Sequence, residues 1–275
     1  MNLDDTLHRL ATDPFSPVDL AELALRLARD EYPDLDVPTY LERLDDFAGE
    51  LGRRVKAAHS LEAQVMELGH GLFVEQGFEG NLGSYYDPKN SYLNEVLDRR
   101  LGIPITLSIL AIAVGQRCGL NVCGIALPGH FVAMAIEGDE RQVFDPFNAG
   151  QLLDEAGCEQ LVSSVTGQPF TVTTGVLVAT PPGLIAQRML NNLKMIYLRN
   201  SDYARAARVI RRLTQLTPED ATQWRDLGVT LIHAGQPGMA IDHLHRYLRV
   251  SPNAVDGDAV RKFMREARKE VARYN

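Results

Sequence analysis

Two stretches near the C-terminal end carry matching residue types in matching positions. Ala206 and Ala240, and Pro218 and Pro252, are each 34 residues apart, and Leu190, Leu193, Tyr197 and Ile210 stand 34 residues before Trp224, Leu227, Leu231 and Leu244. A period of that length restricts the chain strongly. Each repeat is a pair of helices that cannot bury its apolar side alone, so neighbouring pairs must stack. The small Ala206 and Ala240 let two helices approach closely, and Pro218 and Pro252 end each second helix. A last helix from about Asp258 to Arg273 is expected to cover the end of the stack. Residues 181–275, after Pro181-Pro182-Gly183, are therefore expected to be all-α.

The rest of the chain has a different texture. Residues 1–76 read as amphipathic helices. Ser16-Pro17 reads as a helix start, Pro38 opens a second helix with Leu41, Leu44, Phe47 and Leu51 at helical intervals, and Ser60 caps a third. Their apolar stripes are expected to pack on the domain that follows. From Gly77 the sequence GFEGNLGSYYDPKN reads as an ordered loop. Asn90 or Ser91 is expected to cap a short helix that Gly102 breaks. The apolar run Ile103–Val114, opened by Pro104 and closed by Gly119, predicts a buried helix to about Arg117. Residues 121–127, 131–136 and 142–144 read as strands. A buried helix followed by a β-meander indicates an α+β domain over 1–180, with a helical N-terminal part (1–76) and a core (77–180).

Composition narrows the function. Of 275 residues, 45% are apolar and 23% charged, which fits a globular protein. The net charge of −8 argues against a general nucleic-acid binder. The basic stretches Arg205–Arg212 and Arg261–Lys269 have helical spacing and read as solvated faces. The three cysteines, Cys118, Cys123 and Cys158, make neither a disulfide framework nor a zinc motif, which fits a reducing, cytoplasmic setting. No secretory leader or membrane span is expected. His59, His70, His233, His243 and His245 show no metal-ligand pattern, and GFEGNLG lacks the context of a phosphate loop. No metal or cofactor is expected.

The phrases GFEGN, YYDPKNSYLNEVLDRRLGIPITLS, GLNVCGIALPGHF and VFDPF lie between Gly77 and Phe147. This stretch resembles the transglutaminase-like "core 2" family, the Sir-B-type bacterial proteins that join such a domain to tetratricopeptide repeats. The resemblance implies a papain-like fold in which a Cys at the start of a buried helix, a His on a strand and an Asp on the next strand act together. The helix dipole and the His would stabilise the thiolate, and the Asp would orient the imidazole. His130 of PGHF matches the His, and Asp145 of FDPF matches the Asp.

The nucleophile is where the sequence departs from that pattern. The expected window holds Ile103, Pro104, Ile105 and Thr106 and no cysteine. Thr106, Ser108 and Cys123 are the available nucleophiles, each with a plainer reading as a cap, a small packing residue or a buried hydrophobe. Asn94, Arg100 and Tyr86 are candidate binding residues, with salt-bridging or loop-stapling roles as the plainer alternative. Two functions stand side by side. One is a binding or scaffold module whose repeats hold a protein or peptide partner. The other is an acyl-transfer or amide-hydrolysing enzyme that uses His130 and Asp145 with a non-standard nucleophile. The sequence leaves substrate, partner and oligomeric state open.

Overall fold

A computed structural model of the chain describes residues 2–173 and 175–274. The chain divides into two compact units, residues 16–186 and residues 1–15 with 187–275.

The 16–186 unit is α+β. Its helices are α2 (Leu20–Ala28), α3 (Val37–Ala57), α4 (Leu61–Gly69), α5 (Leu93–Arg99), α6 (Pro104–Arg117) and α7 (Glu155–Thr166). Strands β1 (Glu79–Gly80) and β2 (Leu101–Gly102) form a short parallel bridge. Strands β3 (Asn121–Leu127), β4 (His130–Glu137), β5 (Glu140–Asp145) and β6 (Gln151–Leu153) form an antiparallel meander in sequence order. Strand β6 and helix α7 lie beyond the elements read from the sequence.

Helix α6 is buried at every position from Pro104 to Gly115. A helix apolar all round needs cover on every side. Strands β3 and β4 cover one side, and α2, α3 and α5 cover others. Close approach to the sheet depends on small residues: a Cβ on Gly115 would lie 2.8 Å from Val122 Cγ2. The opposite face of the sheet carries Ile125, Leu127, Val132, Met134 and Val143, which pack with Cys158 and Val162 of α7 and with Phe170, Val172, Val176 and Leu177. The meander is thus a middle layer between two helical layers.

Two helix starts differ from the sequence reading. Helix α2 is capped by Asp19, whose Oδ1 accepts from Ala21 N at 2.8 Å and Glu22 N at 3.0 Å, rather than by Ser16. Asp19 wins because its carboxylate reaches two of the orphan amides of the first turn. Helix α5 starts at Leu93 behind Tyr92, with no side-chain cap. Asn90 is instead committed to the loop before it. Ser60 does cap α4, accepting from Ala63 N at 3.2 Å.

The second unit contains α1 (Leu3–Thr12), α9 (Tyr203–Leu216), α10 (Ala221–His233), α11 (Pro237–Val250), α12 (Gly257–Tyr274) and most of α8 (Pro182–Arg199). Helices α8 with α9 and α10 with α11 occupy the two repeat registers, and α12 packs on α11. Helix α1 clusters with α9, although its sequence was grouped above with the domain that follows. Its apolar stripe, with Leu7 and Leu10 buried, is what that contact covers. Lys194 of α8 is buried and reaches Gln223 Oε1 at 2.9 Å and Asp226 Oδ2 at 2.6 Å on α10, so the charge is paired. Ala240 is fully buried against Ile210, Leu227 and Leu231. Replacing Ala240 by Leu is expected to overpack this contact and destabilise the protein by about 1–3 kcal/mol. Thermal or urea unfolding measures it, and an unchanged midpoint would contradict the repeat register.

Candidate functional site

The antiparallel pairing of β4 with β5 brings His130, at the start of one strand, beside Asp145, at the end of the other. His130 Nε2 lies 3.0 Å from Asp145 Oδ1 and 2.9 Å from Oδ2. Both residues are buried, at 4% and 1% exposure, so the contact is shielded from water. Asp145 also closes a tight turn of its own. Its Oδ1 accepts from Phe147 N at 3.0 Å, and its Oδ2 accepts from Asn148 Nδ2 at 2.6 Å. Because an ionised carboxylate only accepts, donors from three residues fix its position. An imidazole held on a carboxylate through Nε2 has its orientation set, with Nδ1 as its second nitrogen.

A chain of edge-on rings runs from His130 outward. Phe147 lies 5.8 Å from the His130 ring, Tyr85 lies 6.1 Å from Phe147, and Tyr86 lies 5.3 Å from Tyr85. Tyr86 is 57% exposed. Gly80 has no side chain because a Cβ there would meet the Phe147 ring at 2.6 Å. The loop that carries the tyrosines is held by a buried amide pair. Asn81 Nδ2 donates to Asn90 Oδ1 at 3.0 Å, and Asn90 Nδ2 donates to the carbonyls of Ser84 at 2.8 Å and Tyr85 at 3.2 Å.

The candidate nucleophiles are placed differently from one another. Thr106 Oγ1 accepts from Ile103 N at 3.1 Å and lies 2.8 Å from Asn90 O and 3.1 Å from Ile103 O, so it is a helix-start cap. Ser108 Oγ donates to Phe131 O at 3.3 Å, next door to His130 but onto the backbone. Both side chains are buried, as are Ile103, Pro104 and Ile105 around the start of α6. Cys123 pairs with Met134, four residues along β4 from His130, or roughly 13 Å at the rise of a strand. Its Sγ lies 3.6 Å from Met134 O, and burial pushes its thiol up to about 11, with Arg141 opposing. Burial likewise raises Cys118, and raises Cys158 to about 11. The thiolate, the reactive form, is therefore disfavoured at all three cysteines.

Of the candidate binding residues, Tyr86 joins the ring chain that ends at His130. Arg100 belongs to a different cluster. It adopts the left-handed conformation at φ 62° and lays its guanidinium 4.3 Å from the centre of Phe78 and 5.0 Å from that of Phe47. Asn94 is buried in α5, and its Oδ1 has no hydrogen-bond partner among the described residues. Asn148 and the Asn81–Asn90 pair were not singled out from the sequence. The Asp-Pro-Phe-Asn run is the signal for Asn148, since an Asp before a tight turn collects donors from the next residues. Among the described residues, no three His, Cys, Asp or Glu side chains gather as a metal site, and no helix is long and apolar enough to cross a membrane.

With this geometry in place, comparison with known proteins decides the family. The model of the transglutaminase-like superfamily matches residues 38–191. The chain belongs to that superfamily. A tetratricopeptide-repeat model matches residues 193–265. A UPF0162 protein of Xylella fastidiosa (strain Temecula1 / ATCC 700964) is 34% identical over 257 residues, 92% of each chain. A UPF0162 protein of Pseudomonas aeruginosa is 28% identical over 208 residues, 74% of each chain. F-box only protein 21 of Mus musculus is 32% identical over 142 residues, 48% of this chain and 22% of that protein. No solved structure matches the chain.

Asn90 is the residue through which the loop, the 3₁₀ turn before α5 and the start of α6 meet. Asn90→Ala removes its three side-chain hydrogen bonds and leaves buried partners unpaired. It is expected to cost about 2–4 kcal/mol in urea unfolding. It should also speed amide exchange across residues 81–87, and a loop that exchanges as in the parent protein would contradict this role.

Proposed function

We propose that the 16–186 unit is a transglutaminase-like recognition domain that does no acyl-transfer chemistry, joined to repeats that bind a protein or peptide partner. The observation that carries this reading is the start of α6. Where a family enzyme would present a thiol, this chain has Ile103, Pro104, Ile105 and Thr106, all buried. The Thr106 and Ser108 hydroxyls are spent on backbone groups, and Cys123 lies far along the strand from His130. Tetratricopeptide repeats generally mediate protein interactions, which supports a partner at the C-terminal unit. The net charge of −8 favours a protein partner over nucleic acid.

A second reading rests on one specific observation. His130 and Asp145 keep the contact and burial that a general base and its orienting carboxylate require. In that reading the domain is an acyl-transfer or amide-hydrolysing enzyme with a nucleophile brought to His130 by movement or by a partner.

A time course with iodoacetamide on the native full-length protein separates the two. In the recognition reading no cysteine is alkylated unusually fast at neutral pH. Labelling of Cys123 should climb only as pH approaches about 11, because burial holds its thiol protonated. His130→Ala should leave the time course unchanged. Rapid modification of one cysteine at neutral pH, lost in His130→Ala, would establish a Cys-His-Asp centre and end the recognition reading.

A further inference from the structure

A cavity of about 240 Å³ lies on the far side of Asp145 from His130's strand, between β6 and α7. Asp145 forms part of its wall, and Asn148, Gln151, Gln160 and Ser164 supply its polar groups. Leu153 and Leu161 supply its apolar side. Among the described residues, no Lys or Arg lines it.

The polar groups mostly offer oxygen. Asn148 directs one Nδ2 hydrogen to the Asp145 carboxylate at 2.6 Å, which keeps Oδ1 on the opposite side of the amide as an acceptor. Ser164 donates its hydroxyl proton to Leu161 O at 2.7 Å, so its oxygen remains as an acceptor. The side chains of Gln151 and Gln160 make no hydrogen bond among the described residues and can turn their amide oxygens inward. Asp145 stands in the cavity wall, and Asp154 and Glu155 stand at the start of α7. Asp154, Asp145 and Glu155 all act in the same direction on the neighbouring Cys158 thiol, adding to the effect of its burial. An anion would meet repulsion here and find no cation to offset it. A ligand with several N–H donors and a positive charge meets both requirements.

We propose that this cavity binds the guanidinium head of an arginine side chain on a peptide or protein ligand. The planar guanidinium presents five N–H donors in a fixed fork and is weakly hydrated, which suits a set of amide and hydroxyl oxygens. Its methylene stem covers Leu153 and Leu161. At about 240 Å³ the cavity is below the size of a typical site for a drug-sized ligand, so a side chain fits it better than a cofactor does. Asn148 then links the ligand to the pair at the centre of the domain, since one amide touches both the cavity and Asp145. The assignment rests on the recognition reading of this domain and names the ligand class for it.

Calorimetric titration of the full chain with N-acetyl-L-arginine amide and with its neutral isostere N-acetyl-L-citrulline amide tests the proposal. The arginine compound should bind at least about tenfold more tightly than citrulline, and added salt should weaken it. Gln160 is exposed on α7, so its substitution leaves the core intact. Gln160→Lys should weaken arginine binding about tenfold, and Gln160→Glu should strengthen it. Equal affinity for the two compounds, no saturation at millimolar concentration, or a shift of the same sign in both Gln160 variants would overturn the assignment. Tight arginine binding accompanied by release of ammonia from the terminal amide would keep the cavity assignment and remove the non-catalytic reading. Loss of the cavity assignment would leave that reading to the cysteine time course.

Discussion

Every side chain of α6 from Pro104 to Gly115 is withdrawn from water, and most of the 16–186 unit can be understood as the cover that this helix requires. Burying a Leu or Ile is worth about 1.5–3 kcal/mol against leaving it exposed, and α6 carries five such residues after Pro104. An amphipathic helix could sit on one layer, but α6 needs the sheet on one side and α2, α3 and α5 around the rest. That demand also fixes the sheet. Ser108 anchors the second turn of the helix to Phe131 O, and Phe131 lies in β4, which packs on the helix. His130 and Asp145 then fall where β4 begins and β5 ends, so the position of the pair follows from the placement of the helix.

Legibility in the sequence tracks how local the cause of each feature is. The bounds of α6 were readable because Pro104 and Gly119 mark a helix start and stop with their own backbone chemistry, Gly119 at φ 96°. Strands β3, β4 and β5 were readable from alternation, whereas the three-residue β6 was too short to show any. The cap of α2 was misplaced because Ser16-Pro17 and Asp19 are both competent starts, and tertiary packing decides between them. Asn90 was read as a cap for a similar reason: Asn in such a place usually caps, and only the fold reveals that its amide is needed by Asn81, Ser84 and Tyr85. The pairing of His130 with Asp145 came from resemblance to a family. The role of Asn148 depends on a six-residue turn whose donors converge only when folded.

The two polar clusters of the domain solve the same problem with different groups. Buried hydrogen-bonding atoms cost free energy unless partnered. The Asn81–Asn90 pair meets this with neutral amides, which hold a loop and expose Tyr86 on a fixed support. The His130–Asp145 pair meets it with a carboxylate that gathers donors from His130, Phe147 and Asn148. Phe147 joins the two, through Tyr85 on one side and the His130 ring on the other.

That joining bears on why a His–Asp pair would persist beside a helix start that offers no thiol. Removing one partner of a buried hydrogen-bonded pair typically costs about 1–3 kcal/mol, because the other group is left unsatisfied in a low-dielectric site. Neither residue can therefore be lost alone without that penalty, whereas a nucleophile at a helix start can be exchanged for an apolar residue that packs. Loss of chemistry and retention of the pair are compatible on energetic grounds. The pair also keeps the turn from Asp145 to Gly150 closed, with Gly150 N donating to Asp145 O at 2.9 Å, and that turn leads into β6 and the wall of the amide-lined cavity. One carboxylate thus fixes the imidazole of His130 and, through Phe147 N and Asn148 Nδ2, the corner from which β6 and the cavity wall begin.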